Sequence, residues 1–184
     1  GVTLHHPHCQ IYAFPFVPPV VARELASSRD HLEGSGECLF CSILAREIAE
    51  GARIVCEGGG HIALVPFYAR WPYEVHVFPR RHVSSLAEMN TGERRDLART
   101  IKTVATKYDS LFGFPLPYVM VLHQAPTDGG DHRHYHFHVE FYPPHRAGNR
   151  LKYLAGVELG AGVFLNDAEP EQKARELREL NPDA

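Results

Sequence analysis

The chain has 184 residues, enough for one domain with a packed core. With 44% hydrophobic and 22% charged residues and a net charge of -3, it has the make-up of an ordinary soluble globular protein, with no general pull towards nucleic acid or an anionic membrane. No apolar run reaches membrane-spanning length and no signal-peptide pattern opens the chain, so the expected compartment is the cytoplasm. Four cysteines, two of them in Cys38-Leu39-Phe40-Cys41, point to metal or thiol chemistry rather than a disulfide scaffold. Thirteen histidines call for a chemical explanation.

The first stretch, His5-His6-Pro7-His8-Cys9-Gln10, carries three imidazoles in four residues ahead of the apolar run Ile11-Tyr12-Ala13-Phe14. Pro7 biases His6 towards an extended conformation, and an extended chain puts His6, His8 and Gln10 on one face. One imidazole can then be a metal ligand and another a nucleophile, while the carboxamide donates to a developing negative charge. A purification tag is the plainer reading, but a tag would not run on into Gln-Ile-Tyr-Ala-Phe-Pro-Phe.

Prolines 15, 18 and 19 end this first predicted strand. A short helix is expected over Val20 to Asp30, with Val21 and Leu25 on one face and Glu24 beside them, and a loop over His31 to Glu37. A second helix starts at the Cys-x-x-Cys. Strands are predicted around Val55-Glu57, His61-Pro66 and Tyr73-Pro79, the last leading into Arg80-Arg81-His82. The clearest helix begins at Asn90, which with Glu93 makes a capping pair, and shows the apolar stripe Leu97, Ile101, Val104, Tyr108, Leu111. Tyr118-His123 reads as a strand. His134 to Tyr142 reads as another, with His134, His136, His138 and Glu140 on one face and Tyr135, Phe137, Val139 and Phe141 on the other. Core histidines usually occur singly, so this face is a candidate site. A last helix opens at Pro170, with Ala174 and Leu177 inward.

His6-Pro7-His8-Cys9-Gln10 resembles the active-site motif of the galactose-1-phosphate uridylyltransferases, a branch of the histidine-triad superfamily; Cys9 stands where that motif has Gly. The resemblance implies an α+β fold: a histidine-triad-like antiparallel sheet with flanking helices, preceded by the catalytic strand of a first half-unit. It divides the chain into residues 1–30, belonging to that first half, and 31–184, the C-terminal domain. Because the motif ends the first of two similar halves in the family, the chain is expected to be a fragment or one product of a split gene. The implied reaction is a double displacement from UDP-glucose to galactose 1-phosphate, with His8 as nucleophile, Gln10 on the phosphoryl oxygens and His6 a ligand of the first-half zinc. After the last strand, Lys152 and the Gly156-Val157-Glu158 run match family residues that contact the hexose phosphate, namely Lys152, Gly156 and Glu158.

Two metal sets follow from the same resemblance. The first is Cys38, Cys41, His82 and His136, suited to tetrahedral zinc. The second is Glu24, His123, His136 and His138, for zinc or iron. Both use His136, which sets them in competition, and the thiolate set is preferred because thiolates outcompete a carboxylate for zinc. The metal is expected to be structural. The leading function is therefore the C-terminal half of a nucleotidyltransferase that needs its N-terminal half for activity and pairs as a homodimer. The alternatives are a histidine-triad nucleotide hydrolase or phosphorylase using the His134-His136-His138 strand, and a zinc-stabilised partner subunit with no activity.

Overall fold

The computed structural model describes residues 9–180; His6 and His8 lie outside them. Residues 9–18 form no strand. Ile11 is 95% exposed, Tyr12 stacks on Phe14, and Phe14 meets Phe16 at a tilt, none of them pairing with the sheet. The strand expected over 11–14 is thus not formed among the described residues. Its β-compatible side chains meet no partner edge, and Pro15, Pro18 and Pro19 remove the donors beyond it.

Helix α1 (Pro19–Ser35) starts with Pro at its first position, where the missing N–H costs nothing. It runs on through the segment expected as a loop and crosses residues 30 and 31 unbroken. Its stop is Gly36, at φ 77°, whose N–H returns to the Leu32 carbonyl. Helix α2 (Leu39–Glu50) follows with Cys38 as its N-cap and ends the same way at Gly51. Strands β1 (Ile54–Glu57), β2 (His61–Leu64) and β3 (Val75–Pro79) lead to a 3-10 turn at Leu86–Glu88 and then to helix α3 (Thr91–Leu111). The Asn90–Glu93 capping box forms in full, satisfying two N-terminal donors. Strands β4 (Val119–His123) and β5 (His138–Tyr142), a small hairpin of β6 (His145–Ala147) and β7 (Arg150–Leu151), and helices α4 (Gly156–Ala161) and α5 (Pro170–Glu179) complete the chain.

The five main strands form one antiparallel sheet in the order β1-β2-β3-β5-β4. Alternation along each strand sends its side chains to two different cores. On one side Ala63, Val75, Val77, Val139 and Phe141 pack with Leu97, Val104 and Tyr108 of α3 and Ala174 and Leu177 of α5. On the other, Ile62, Leu64 and Phe78 pack with Leu25 of α1 and Phe40 and Leu44 of α2. The fold is therefore α+β, a sheet with helices on both faces. Lys107 of α3 is buried, and its ammonium donates to the carbonyls of Leu177 (3.0 Å), Arg178 (3.2 Å) and Leu180 (2.7 Å), closing the C-terminal end of α5.

The second histidine-rich strand is shorter than its sequence suggests. Pairing begins at His138, and residues 134–137 are held by other bonds: Tyr135 N–H to His132 O (2.9 Å) and Phe137 N–H to Val83 O (2.7 Å). Off the ladder the two-residue alternation lapses, and Tyr135 turns into the α1/α2 core rather than joining Phe137, Val139 and Phe141.

Candidate metal centres on the histidine face

The first centre is built where the N-terminal turn of α2 meets the loop after β3 and the segment before β5. Cys38, Cys41, His82 and His136 bring one ligand atom each to within 4.8 Å of one another. Cys41 Sγ lies 3.4 Å from Nδ1 of both His82 and His136. A tetrahedral zinc, with bonds of about 2.3 Å to sulfur and about 2.0 Å to nitrogen, separates neighbouring sulfur and nitrogen donors by roughly 3.5 Å. The tautomers are set by carbonyls, which only accept. His82 Nε2–H donates to Arg133 O (2.8 Å) and His136 Nε2–H to Pro79 O (3.0 Å). Both Nδ1 lone pairs therefore face sulfur, an arrangement that a cation between them satisfies. Cys41 and His136 draw the Cys38 thiol well below its ordinary value, while Cys38 and burial push Cys41 up. The set fits zinc. An open cleft of about 540 Å³, lined among others by Glu37, Ser42 and His134, gives access to the thiolates.

The second centre lies deeper on the same face, where α1, β4 and β5 meet. Glu24, His123, His138 and Glu140 also bring ligand atoms within 4.8 Å of one another. The fourth member is thus Glu140, not His136. The two clusters share no residue. His138 Nδ1–H donates to the His136 carbonyl (3.0 Å), leaving Nε2 as a lone pair 3.3 Å from Glu140 Oε1, fully buried and with no hydrogen-bond partner. Burial lowers His138 below its ordinary value. Burial pushes Glu140 up, but the neighbouring imidazoles of His76, His138 and His123 outweigh it and hold the carboxyl well below the usual range. Glu24 likewise ends low: its bond with His123 Nδ1 (2.9 Å) and the Tyr135 hydroxyl (2.6 Å) overcome burial. Glu74 is also buried, and Arg70 reaches both Glu74 (3.5 Å) and Glu140 (2.9 Å). A divalent cation fills the gap between the His138 lone pair and the Glu140 carboxylate, so this donor set fits as well.

Sequence reasoning did not single out Glu140 as a member of this cluster, nor Glu74, His76 and Arg70 beside it. The signal was present. Glu140 is the last polar position before Phe141-Tyr142-Pro143-Pro144, and Glu74 and His76 alternate with Val75 and Val77. His76 Nε2–H bonds Glu74 (2.8 Å) and lies 3.3 Å from Glu140, bracing it.

The remaining predicted residues lie elsewhere. Gln10 is exposed and accepts from the Tyr12 hydroxyl (2.7 Å). His134 is buried but belongs to neither cluster. Gly156 opens α4, and Glu158 caps it by accepting from Ala155 N–H (2.7 Å). Lys152 donates to the carbonyls of Arg70 and Leu165. Arg70 thereby links the Lys152 segment to Glu140 of the second centre.

The chain matches the family model described as galactose-1-phosphate uridyl transferase, C-terminal domain, over residues 24–184. It is 47% identical over 180 residues to the galactose-1-phosphate uridylyltransferase of Thermotoga maritima, covering 97% of this chain and 56% of that protein. A solved structure of a uridylyltransferase superposes with a TM-score of 0.90 at 43% identity, over 97% of this chain and 55% of that one. A zinc-bound histidine-triad family protein from Mycobacterium smegmatis, at a TM-score of 0.52 and 18% identity, shares the fold. The chain spans about half the length of the curated relatives it matches. It belongs to the galactose-1-phosphate uridyl transferase family, as a member that matches the family's C-terminal domain.

Proposed function

We propose that the chain is the C-terminal half of a UDP-glucose–hexose-1-phosphate uridylyltransferase, which completes its active site with an N-terminal half. The observation that carries this reading is the 47% identity along nearly the whole chain to a protein of that activity. His8 is the nucleophile. A neutral ring nitrogen attacks the α-phosphorus of UDP-glucose, and the phosphorus–oxygen bond to glucose 1-phosphate breaks with its electron pair on the departing phosphate. A phosphate oxygen of galactose 1-phosphate then attacks the uridylyl group, the nitrogen–phosphorus bond breaks, and His8 is returned. Covalent catalysis divides one displacement into two easier steps. The Gln10 amide donates to the phosphoryl oxygens, and Lys152, Gly156 and Glu158 take the hexose phosphate.

Zinc is held by Cys38, Cys41, His82 and His136, and a second divalent cation, zinc or iron, by Glu24, His123, His138 and Glu140. His6 serves the zinc of the first half. When bound, these cations supply fixed positive charge that holds the histidine face in shape. Four free cysteines suit the reducing cytoplasm, the proposed compartment. Among the described residues no helix is long and apolar enough to cross a membrane. Exposed Phe14, Phe16, Val119 and Leu122 supply apolar surface for pairing with the N-terminal half and for a homodimer.

The test is peptide mapping after a quenched reaction with UDP-glucose in the presence of the N-terminal half. The UMP mass is expected on the peptide containing His8, and His8→Gly removes it while metal content stays unchanged. A label on the peptide containing His136 overturns the assignment and favours a histidine-triad hydrolase.

A further inference from the structure

The two clusters share no ligand, yet they are joined by two short contacts. The first is main-chain. His136 gives its Nδ1 to the thiolate cluster, and its own carbonyl accepts from His138 Nδ1–H at 3.0 Å. That bond sets both the tautomer and the orientation of His138, whose Nε2 is the atom offered to the buried cluster. The position of the carbonyl depends in turn on where the His136 ring is pinned, between Cys41 Sγ (3.4 Å) and Pro79 O (3.0 Å). It also depends on Phe137 N–H, which bonds the carbonyl of Val83, next to the ligand His82. The second contact is side-chain. Phe40 sits inside the Cys38–Cys41 turn, and its ring centroid lies 4.8 Å from that of His138. Both partners are buried, so the ring has little room to rotate away.

We infer that the thiolate centre is a positioning device for the buried centre. Binding of a cation by Cys38, Cys41, His82 and His136 fixes the His136 carbonyl and the Phe40 ring, and these together present His138 Nε2 to a second cation. The inference rests on the reading of both clusters as metal centres given under Proposed function. Linkage requires the effect to be reciprocal: occupation of the buried centre tightens the thiolate centre by the same factor. Outer-sphere partners of a ligating histidine change affinity by about 10- to 100-fold, which is the coupling expected here.

The test uses the 184-residue chain stripped of metal by chelation. One equivalent of zinc fills the softer thiolate set. Cobalt(II) is then titrated into the buried set and followed by its visible absorption, which for oxygen and nitrogen ligands lacks the sulfur charge-transfer band of the thiolate set. In Cys41→Ser, titrated without zinc so that the buried set stays open to cobalt, cobalt affinity at that set should fall by about 10- to 100-fold. Phe40→Leu keeps every ligand of both sets and should bind zinc yet lose part of the coupling. The reciprocal arm measures zinc affinity at the thiolate set against a competing chelator in excess cobalt, which fills the buried set of the unaltered chain; in His123→Gln, where that set stays empty, zinc affinity should fall by the factor seen in the first arm. If Cys41→Ser does not fold, this reciprocal arm decides. Two independent sites, each binding with constants unchanged by loss of the other, overturn the coupling and leave the two-centre reading standing. An unaltered chain that binds zinc at the thiolates and no cobalt at the buried set overturns both.

Discussion

One face of the five-stranded sheet lies under α3 and α5, the other under α1 and α2, and the same strands give them opposite chemistry. Val75, Val77, Val139 and Phe141 point to a dry core, while their immediate neighbours Glu74, His76, His138 and Glu140 point the other way into a buried set of imidazoles and carboxylates. The dry face is stable on area and packing alone. Buried carboxylates and lone pairs on the second face cost free energy unless each is paired, and cations are the partners that its donor geometry fits. Stability of the first face should therefore be independent of metal, and stability of the second should not.

The largest effect expected on the dry face comes from Leu97→Ala, which opens a cavity between α3 and the sheet and should cost about 2–5 kcal/mol. Urea unfolding checks the cost, and metal analysis of the folded protein should find its content unchanged. Loss of metal in that variant would mean the two faces do not act separately. A smaller effect is expected from Lys107→Met, which keeps the apolar stem and removes the donor shared by three carbonyls at the end of α5; about 1–3 kcal/mol should be lost, again with no loss of metal.

The dry face was also the more legible in the sequence. Its signals are local and periodic: the capping box at Asn90, the α3 stripe through Leu97 and Val104, and the alternation of Val75 with Val77 each follow from a few neighbouring residues. The histidine face was legible as residue types but not as a partition. His134, His136, His138 and Glu140 look equivalent by period, and they cease to be so because β5 pairs only from His138 onward. That start is set by Val83 and His132, which take up the N–H groups of Phe137 and Tyr135, and by Cys41, which draws the His136 ring to the other cluster. None of these partners is visible from the strand itself. The same limit applies at residues 31–37, where charge and glycine suggested a loop, yet the helix persists to Ser35 because nothing stops it before Gly36.

The central claim is that the histidine face holds two cations with separate ligand sets divided between His136 and His138. Metal stoichiometry by plasma mass spectrometry, on the unaltered chain and on two single variants, tests it most directly. The account predicts two divalent ions per chain, with thiolate-bound metal lost in Cys38→Ser and the buried metal lost in Glu140→Ala, each variant retaining the other ion at saturating concentration. A single ion per chain that survives Glu140→Ala and disappears in both His136→Ala and His138→Ala would contradict it, since one shared site would then use both histidines.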